Sequence, residues 1–141
     1  ILLLHNWMPS WQKNEAHVLE ALNELKEIGI ARQVGISLPN GFSNYISDNV
    51  LEHIDLIEAP YNSNEQWIVS QLPQLKRLGK EVLLRSLFLQ GKILTSDEQQ
   101  ADISAKKILM RTLRLETSVV VGMTTTDQII QNIKHLKGGV S

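Results

Sequence analysis

Apolar residues along this chain follow two alternating patterns. Short, nearly continuous runs, ILLLH (1–5), QVGIS (33–37), LIEA (56–59), EVLLRSLF (81–88) and TSVVV (117–121), read as strands covered on both faces. Longer segments with helical spacing lie between them. From Asn14 to Gly29, Val18, Leu22, Leu25 and Ile28 form one stripe, with Asn14 as the expected N-cap and Gly29 as the stop. SDNVLEHI predicts a short helix, and Asn64 to Gly79 a longer one kinked at Pro73. DISAKKILMRTLRLE spaces Ile103, Lys107, Ile108 and Leu115 by turns. The closing helix, TTDQIIQNIKHLKGG, opens with Thr125 and Gln128 in capping-box spacing.

Five repeats of strand and helix predict parallel βα units with right-handed crossovers. No Pro/Gly/Ser-rich linker divides the chain, so residues 1–141 are expected to form one α/β domain. Two architectures fit this order: an open five-stranded sheet of flavodoxin type, or five consecutive units of a TIM (β/α)8 barrel.

Composition narrows the partners. The chain is 43% hydrophobic and 21% charged with a net charge of −1, and no run of Lys or Arg exceeds a pair. A nucleic-acid face needs a clustered basic patch, so none is expected. The absence of cysteine rules out disulfides and Cys-based zinc sites and fits a cytoplasmic setting. The apolar runs are too short to span a membrane, and no signal-peptide pattern occurs, so no membrane partner is expected either.

Functional side chains of parallel α/β folds gather where strands end. His5 ends the first strand, where a neutral imidazole can donate a hydrogen bond to a carbonyl or act as a general acid. The plain alternative is a ring satisfied by a backbone carbonyl. VVVGMTTTDQ joins a strand to a helix through Gly122 and Thr124, with Gln128 in the first turn. Its free N–H groups can hold an anion, or Thr125 can simply cap them. RSLFLQGK puts Arg85 and Ser86 at the end of the fourth strand, with Gly91 allowing close backbone approach. An Arg within an apolar strand needs a partner, either Glu58 on the same rim or a ligand phosphate. Trp7 and Trp11 are candidates for an aromatic carbonyl pocket or for capping the rim. His17, His53 and His135 read as helix-surface residues without zinc spacing, and no P-loop, G-x-G-x-x-G or G-x-S-x-G motif occurs.

Taken in order, LLLHNW, LKEIGIARQVGIS, DLIEAPYN, RSLFLQGKIL and SVVVGMTTTDQIIQNI resemble the second part of an aldo-keto reductase, from residue 1 to about 137. The resemblance implies strands four to eight of a (β/α)8 barrel that transfers hydride from NADPH or NADH to a small-molecule carbonyl substrate. It gives His5 the role of the active-site histidine that polarises this carbonyl. Ser37 matches the Ser that holds the nicotinamide amide, but the neighbouring Asn of the family is Leu38 here. Glu58 stands where a Gln usually contacts the same amide. Arg85 stands where many members stack a Tyr, and some bacterial members resemble this Arg version. Asn132 matches an Asn near the adenine, and Gln128 replaces an Arg that often selects the 2′-phosphate, which leaves NADP preference open.

The family's catalytic Tyr, with its Asp and Lys, belongs to strands that precede these. The expectation is therefore a fragment, inactive by itself, that associates as a homodimer or with an N-terminal half. Two other functions stay in view: a non-catalytic cofactor-binding or interaction module on the same fold, and an open-sheet nucleotide or flavin binder.

Overall fold

A computed structural model describes residues 1–94 and 97–137. The last two residues of the expected closing helix, 138–139, lie outside them. Five strands, β1 (Leu2–Leu4), β2 (Val34–Ser37), β3 (Leu56–Pro60), β4 (Glu81–Arg85) and β5 (Ser118–Val119), alternate with helices. These are α1 (Pro9–Gln12), α2 (Glu15–Glu27), α3 (Asp48–His53), α4 (Trp67–Arg77), α5 (Glu98–Leu113) and α6 (Thr126–Lys137).

All strand pairs are parallel, and the spatial order β1-β2-β3-β4-β5 repeats the chain order. A flavodoxin-type sheet reverses direction partway across, which places helices on both faces. Here the order never reverses, so successive crossovers of one hand lay every helix on one side, as in a barrel wall. The open-sheet nucleotide or flavin binder is thereby set aside.

Register and alternation separate the two faces. Leu4, Ile36, Ile57, Ala59, Val82 and Leu84 face the helices and join Leu19, Val50, Ile68, Leu72, Leu75 and Leu109 in the main core. The opposite face carries Gly35, Leu56 and Leu83 and then, toward the strand ends, Ser37, Glu58 and Arg85. Gly35 lies hard against β3: a Cβ there would collide with the Leu56 carbonyl oxygen and stand 2.9 Å from Leu56 Cγ. Only glycine permits that approach.

Several elements differ from the sequence pattern. Asn14 precedes α2 but its side chain accepts no cap hydrogen bond; its amide donates to Ser10 O at 3.5 Å, since α1, unforeseen in the sequence, occupies the preceding residues. Leu19 and Leu22 are buried in α2 while Ile28 is exposed, because Gly29, with φ 79°, ends the helix there. The long helix begins at Trp67 rather than Asn64. Asn62 Oδ1 instead accepts from Asn64 N (2.9 Å) and Glu65 N (3.1 Å), holding those residues in a turn. Pro73 sits within α4 without ending it.

The fourth strand stops at Arg85 because Ser86 takes a left-handed conformation, φ 61°. The fifth is only two residues long. α5 starts earlier than expected, at Glu98, where Asp97 caps Gln100 N at 2.8 Å. It buries Ala105, Leu109 and Thr112, a truer helical spacing than the expected stripe, and leaves Ile103 exposed. His135 is no surface residue: its ring lies between helices, 2.8 Å from Asp102 on α5. Among the described residues, no helix is long and apolar enough to cross a membrane.

Candidate functional site

Three successive strands end in one polar cluster. The Ser37 hydroxyl donates to Glu58 Oε2 at 2.5 Å, and Arg85 Nε lies 3.4 Å from the same oxygen. Arg85 Nη1 donates to Asn40 Oδ1 (3.0 Å) and to Ser86 Oγ (2.8 Å), while Nη2 donates to Leu38 O (2.7 Å). Glu58, one of the partners weighed for Arg85, does meet it. The arrangement follows from register: Ser37 pairs with Glu58, and Arg85, paired with Pro60, points to the same face. Burial keeps the pair strong, since only 21% of the Arg85 side chain and 18% of that of Glu58 are exposed.

Asn40 is the cluster member that sequence reasoning missed. It lies in the β2–α3 loop, and an Asn three residues past a strand carries no signal of its own. Leu38 also finds its reason here. Its side chain is fully buried in the core, so only its backbone, whose carbonyl accepts the Arg85 hydrogen bond, belongs to the site.

His5 follows Leu4, the partner of Ile36, and so stands beside Ser37 in the next row. Its side chain is exposed and forms no hydrogen bond with the described residues, so it is not tied to a backbone carbonyl. Asn6 then turns the chain with φ 52°, and Trp7 N donates to Ser37 O at 2.8 Å. That turn drives the indole of Trp7 into the helix-side core, 1% exposed. Trp7 is therefore a core residue, and Trp11, 39% exposed, lies on α1 outside the cluster.

The β5–α6 turn is separate from this cluster. Gln128 Oε1 accepts from Thr124 N (2.8 Å) and Thr124 Oγ1 (3.2 Å), and Gln128 N donates to Thr125 Oγ1 (3.3 Å). Two donors that an anion would use are thus capped by the chain itself, and Asp127 adds a carboxylate to the first turn. Gly122 is exposed, and a Cβ there would meet nothing. Asn132 is half-buried on α6. Gly91 adopts φ 84°, and no group approaches where its Cβ would be, so its role is conformational rather than close contact.

A cleft of about 200 Å³ opens between the β2–α3 and β3–α4 loops, framed by the edge-to-face pair Phe42 and Trp67. Glu65 spans its loops by accepting from Gly41 N and from Asn62 Nδ2. The cleft does not include Ser37, Glu58 or Arg85.

No protein-family model matches the sequence, and no curated protein matches it significantly. Solved structures do. The holo form of the aldo-keto reductase AKR11C1 from Bacillus halodurans superposes with a TM-score of 0.71 at 20% identity, over 96% of this chain and 53% of that one. A point mutant of Gox0644, solved in complex with NADPH, gives 0.70 at 18% identity, over 96% of this chain and 52% of that one.

The chain has the fold of part of an aldo-keto reductase barrel. It spans about half the length of the solved aldo-keto reductases it matches. In that fold the Ser37–Glu58–Arg85 cluster occupies the C-terminal end of the strands, where barrel proteins place their chemistry.

Proposed function

We propose that this chain is the cofactor-holding part of an NAD(P)H-dependent aldo-keto reductase that acts on a small carbonyl compound in the cytoplasm. One observation carries the reading: three polar side chains from adjacent strands converge at the functional end of an aldo-keto reductase fold, with His5 in the neighbouring row. The bound cofactor would supply a hydride. The chain's own residues hold and orient: Ser37 and Glu58 face the ring end of the cofactor, Arg85 fixes Glu58, and the free His5 ring can donate its N–H to a carbonyl oxygen. Toward the adenine end lie Gly122, Thr124, Gln128 and Asn132. With Gln128 engaged in capping and no Lys or Arg in the turn, we assign no preference for the 2′-phosphate.

Neither tyrosine supplies the family's proton donor. Tyr45 is 67% exposed beyond the site and donates to Asp48 at 2.8 Å, a bond that, with the Asp48 charge, raises its pKa. Tyr61 is buried in the core. We therefore propose that these 141 residues bind cofactor but turn over no carbonyl without further βα units.

The two open edges suit such a partner. β1 pairs only with β2, and β5 only with β4, among the described residues. Beside β5, Val120, Met123, Ile129, Ile130 and Ile133 are each 39–46% exposed, and no residue of α6 is buried. A row of open strand groups flanked by apolar side chains favours association, as a homodimer or with an N-terminal half.

Titration with NADPH tests the binding reading, because Trp7 is bonded through its backbone to Ser37. A saturable change in tryptophan emission is expected. No response up to about 1 mM cofactor, an affinity near the weak end of specific binding, overturns it.

A further inference from the structure

We infer that the cleft between the β2–α3 and β3–α4 loops is a second binding site, one that takes a small quaternary ammonium compound. It is separate from the Ser37–Glu58–Arg85 cluster and does not rest on the cofactor reading. Leu38 and Ala59, which line it, alternate with Ser37 and Glu58 and belong to the helix-side core. The cleft therefore opens on the other face of the sheet from that cluster.

Its walls are apolar and aromatic, and the charge on them is negative. Leu38, Ala59 and Ile68 form a buried floor. The half-buried rings of Phe42 and Trp67 meet as a corner, at 80° with centroids 4.9 Å apart. Glu65 is the one charged residue of the lining. Its two oxygens accept from Gly41 N and from Asn62 Nδ2, which pins the carboxylate between the loops. A carboxylate offers about four lone-pair sites, so roughly half of its acceptor capacity is left. No Lys, Arg or His forms an ion pair with Glu65 among the described residues. Arg85 reaches the same neighbourhood, donating to Leu38 O and Asn40 Oδ1, but Glu58 on the other face offsets its charge.

An aromatic corner beside an uncompensated carboxylate attracts a cation, because ring faces and anion act in the same sense. A primary ammonium would have to leave N–H groups against apolar walls, with Glu65 as their one charged partner. A methylated ammonium instead spreads its charge over methyl groups that those walls accept. Size sets the other limit. The cleft holds about 200 Å³, less than the roughly 300–1,000 Å³ of pockets for drug-sized ligands, so it admits only a compact head group.

Choline and neohexyl alcohol, its neutral isostere with carbon in place of the ammonium nitrogen, separate charge from shape. The indole N–H resonance of Trp67, identified by its loss in Trp67→Phe, reports on the cleft in a titration of the whole chain. Choline is expected to shift it saturably and to bind about tenfold more tightly than the alcohol. Glu65→Gln should bring choline down to within about threefold of the alcohol, with NADPH binding unchanged. Equal affinity of the two probes for the unaltered chain overturns the inference, whether or not the variant folds. So does the lack of a saturable shift up to about 100 mM choline, well beyond the weak end of specific binding.

Discussion

The two ends of β2 and β3 carry polar ties of similar make-up and different character. At the N-terminal end, Asp55 accepts from Lys26 Nζ at 2.6 and 2.8 Å and from Val34 N at 2.9 Å, while Lys80 Nζ donates to Ile54 O at 2.8 Å. Both Asp55 oxygens are used, and two backbone groups are satisfied. At the C-terminal end, Glu58 concentrates its bonds on one oxygen and keeps the other open. The backbone differs likewise. The left-handed residues that lead into β2 and β4 are glycines, Gly29 and Gly79, although Glu116 before β5 is not. Beyond the strand ends, Asn6, Ser86, Leu89 and Gln90 hold positive φ without that freedom. One end is closed and relaxed, the other open and strained. This is the contrast expected between a stabilising and a ligand-facing end of a barrel wall.

The most disruptive way to break the comparison is to remove the strand pairing that joins both ends. Gly35→Ala drives a Cβ into the Leu56 carbonyl, which cannot move without separating β2 from β3. A loss of about 3 kcal/mol is expected from denaturant unfolding, with both ties weakened together.

Arg85→Met separates the two ends. It strips the C-terminal tie and leaves Glu58 unpaired beside Ser37. About 2 kcal/mol should be lost, less than for a fully buried pair because each partner keeps roughly a fifth of its side chain in water. Adding Glu58→Gln should recover part of it, which a double-mutant cycle measures.

The smallest effect is expected at the N-terminal tie. Burial pushes the Asp55 carboxyl up, but the Lys26 hydrogen bonds, the Val34 N–H and the charges of Lys26 and Lys80 outweigh it and hold the pKa below its ordinary 3.8. A carboxylate with a depressed folded-state pKa contributes stability that is full above its unfolded value and lost as pH falls through the folded one. Asp55→Asn should cost about 1 kcal/mol at neutral pH, given the exposure of Lys26. It should also flatten the decline in stability below pH 3.8, with cofactor binding unchanged.

Much of this fold was legible in the chain. The runs around Val34–Ser37 and Leu56–Pro60 are strands because continuous β-rich apolar stretches bury both faces. Gly29 and Gly79 stop their helices in left-handed turns, as their positions suggest. The need of Arg85 for a partner was also visible, since a lone guanidinium in an apolar strand is costly. The rest was hidden for specific reasons. Trp7 reads as a residue of a carbonyl pocket or of the rim, and neither reading gives its core position, because that burial depends on Asn6 turning the chain, which residue type does not announce. His135 looked like a surface residue because Asp102, 33 positions away, meets it only after α6 packs on α5.

By itself, then, the sequence determined the order of βα units and which polar residues stand at the strand ends, because both follow from local periodicity and composition. The strands lie in chain order, as the resemblance to a (β/α)8 barrel implies; the tertiary structure alone decided that Ser37 and Arg85 share one Glu58 oxygen and that the other takes no hydrogen bond from the described residues. Those outcomes depend on the register between strands, and register is set by packing of whole elements such as Gly35 against Leu56.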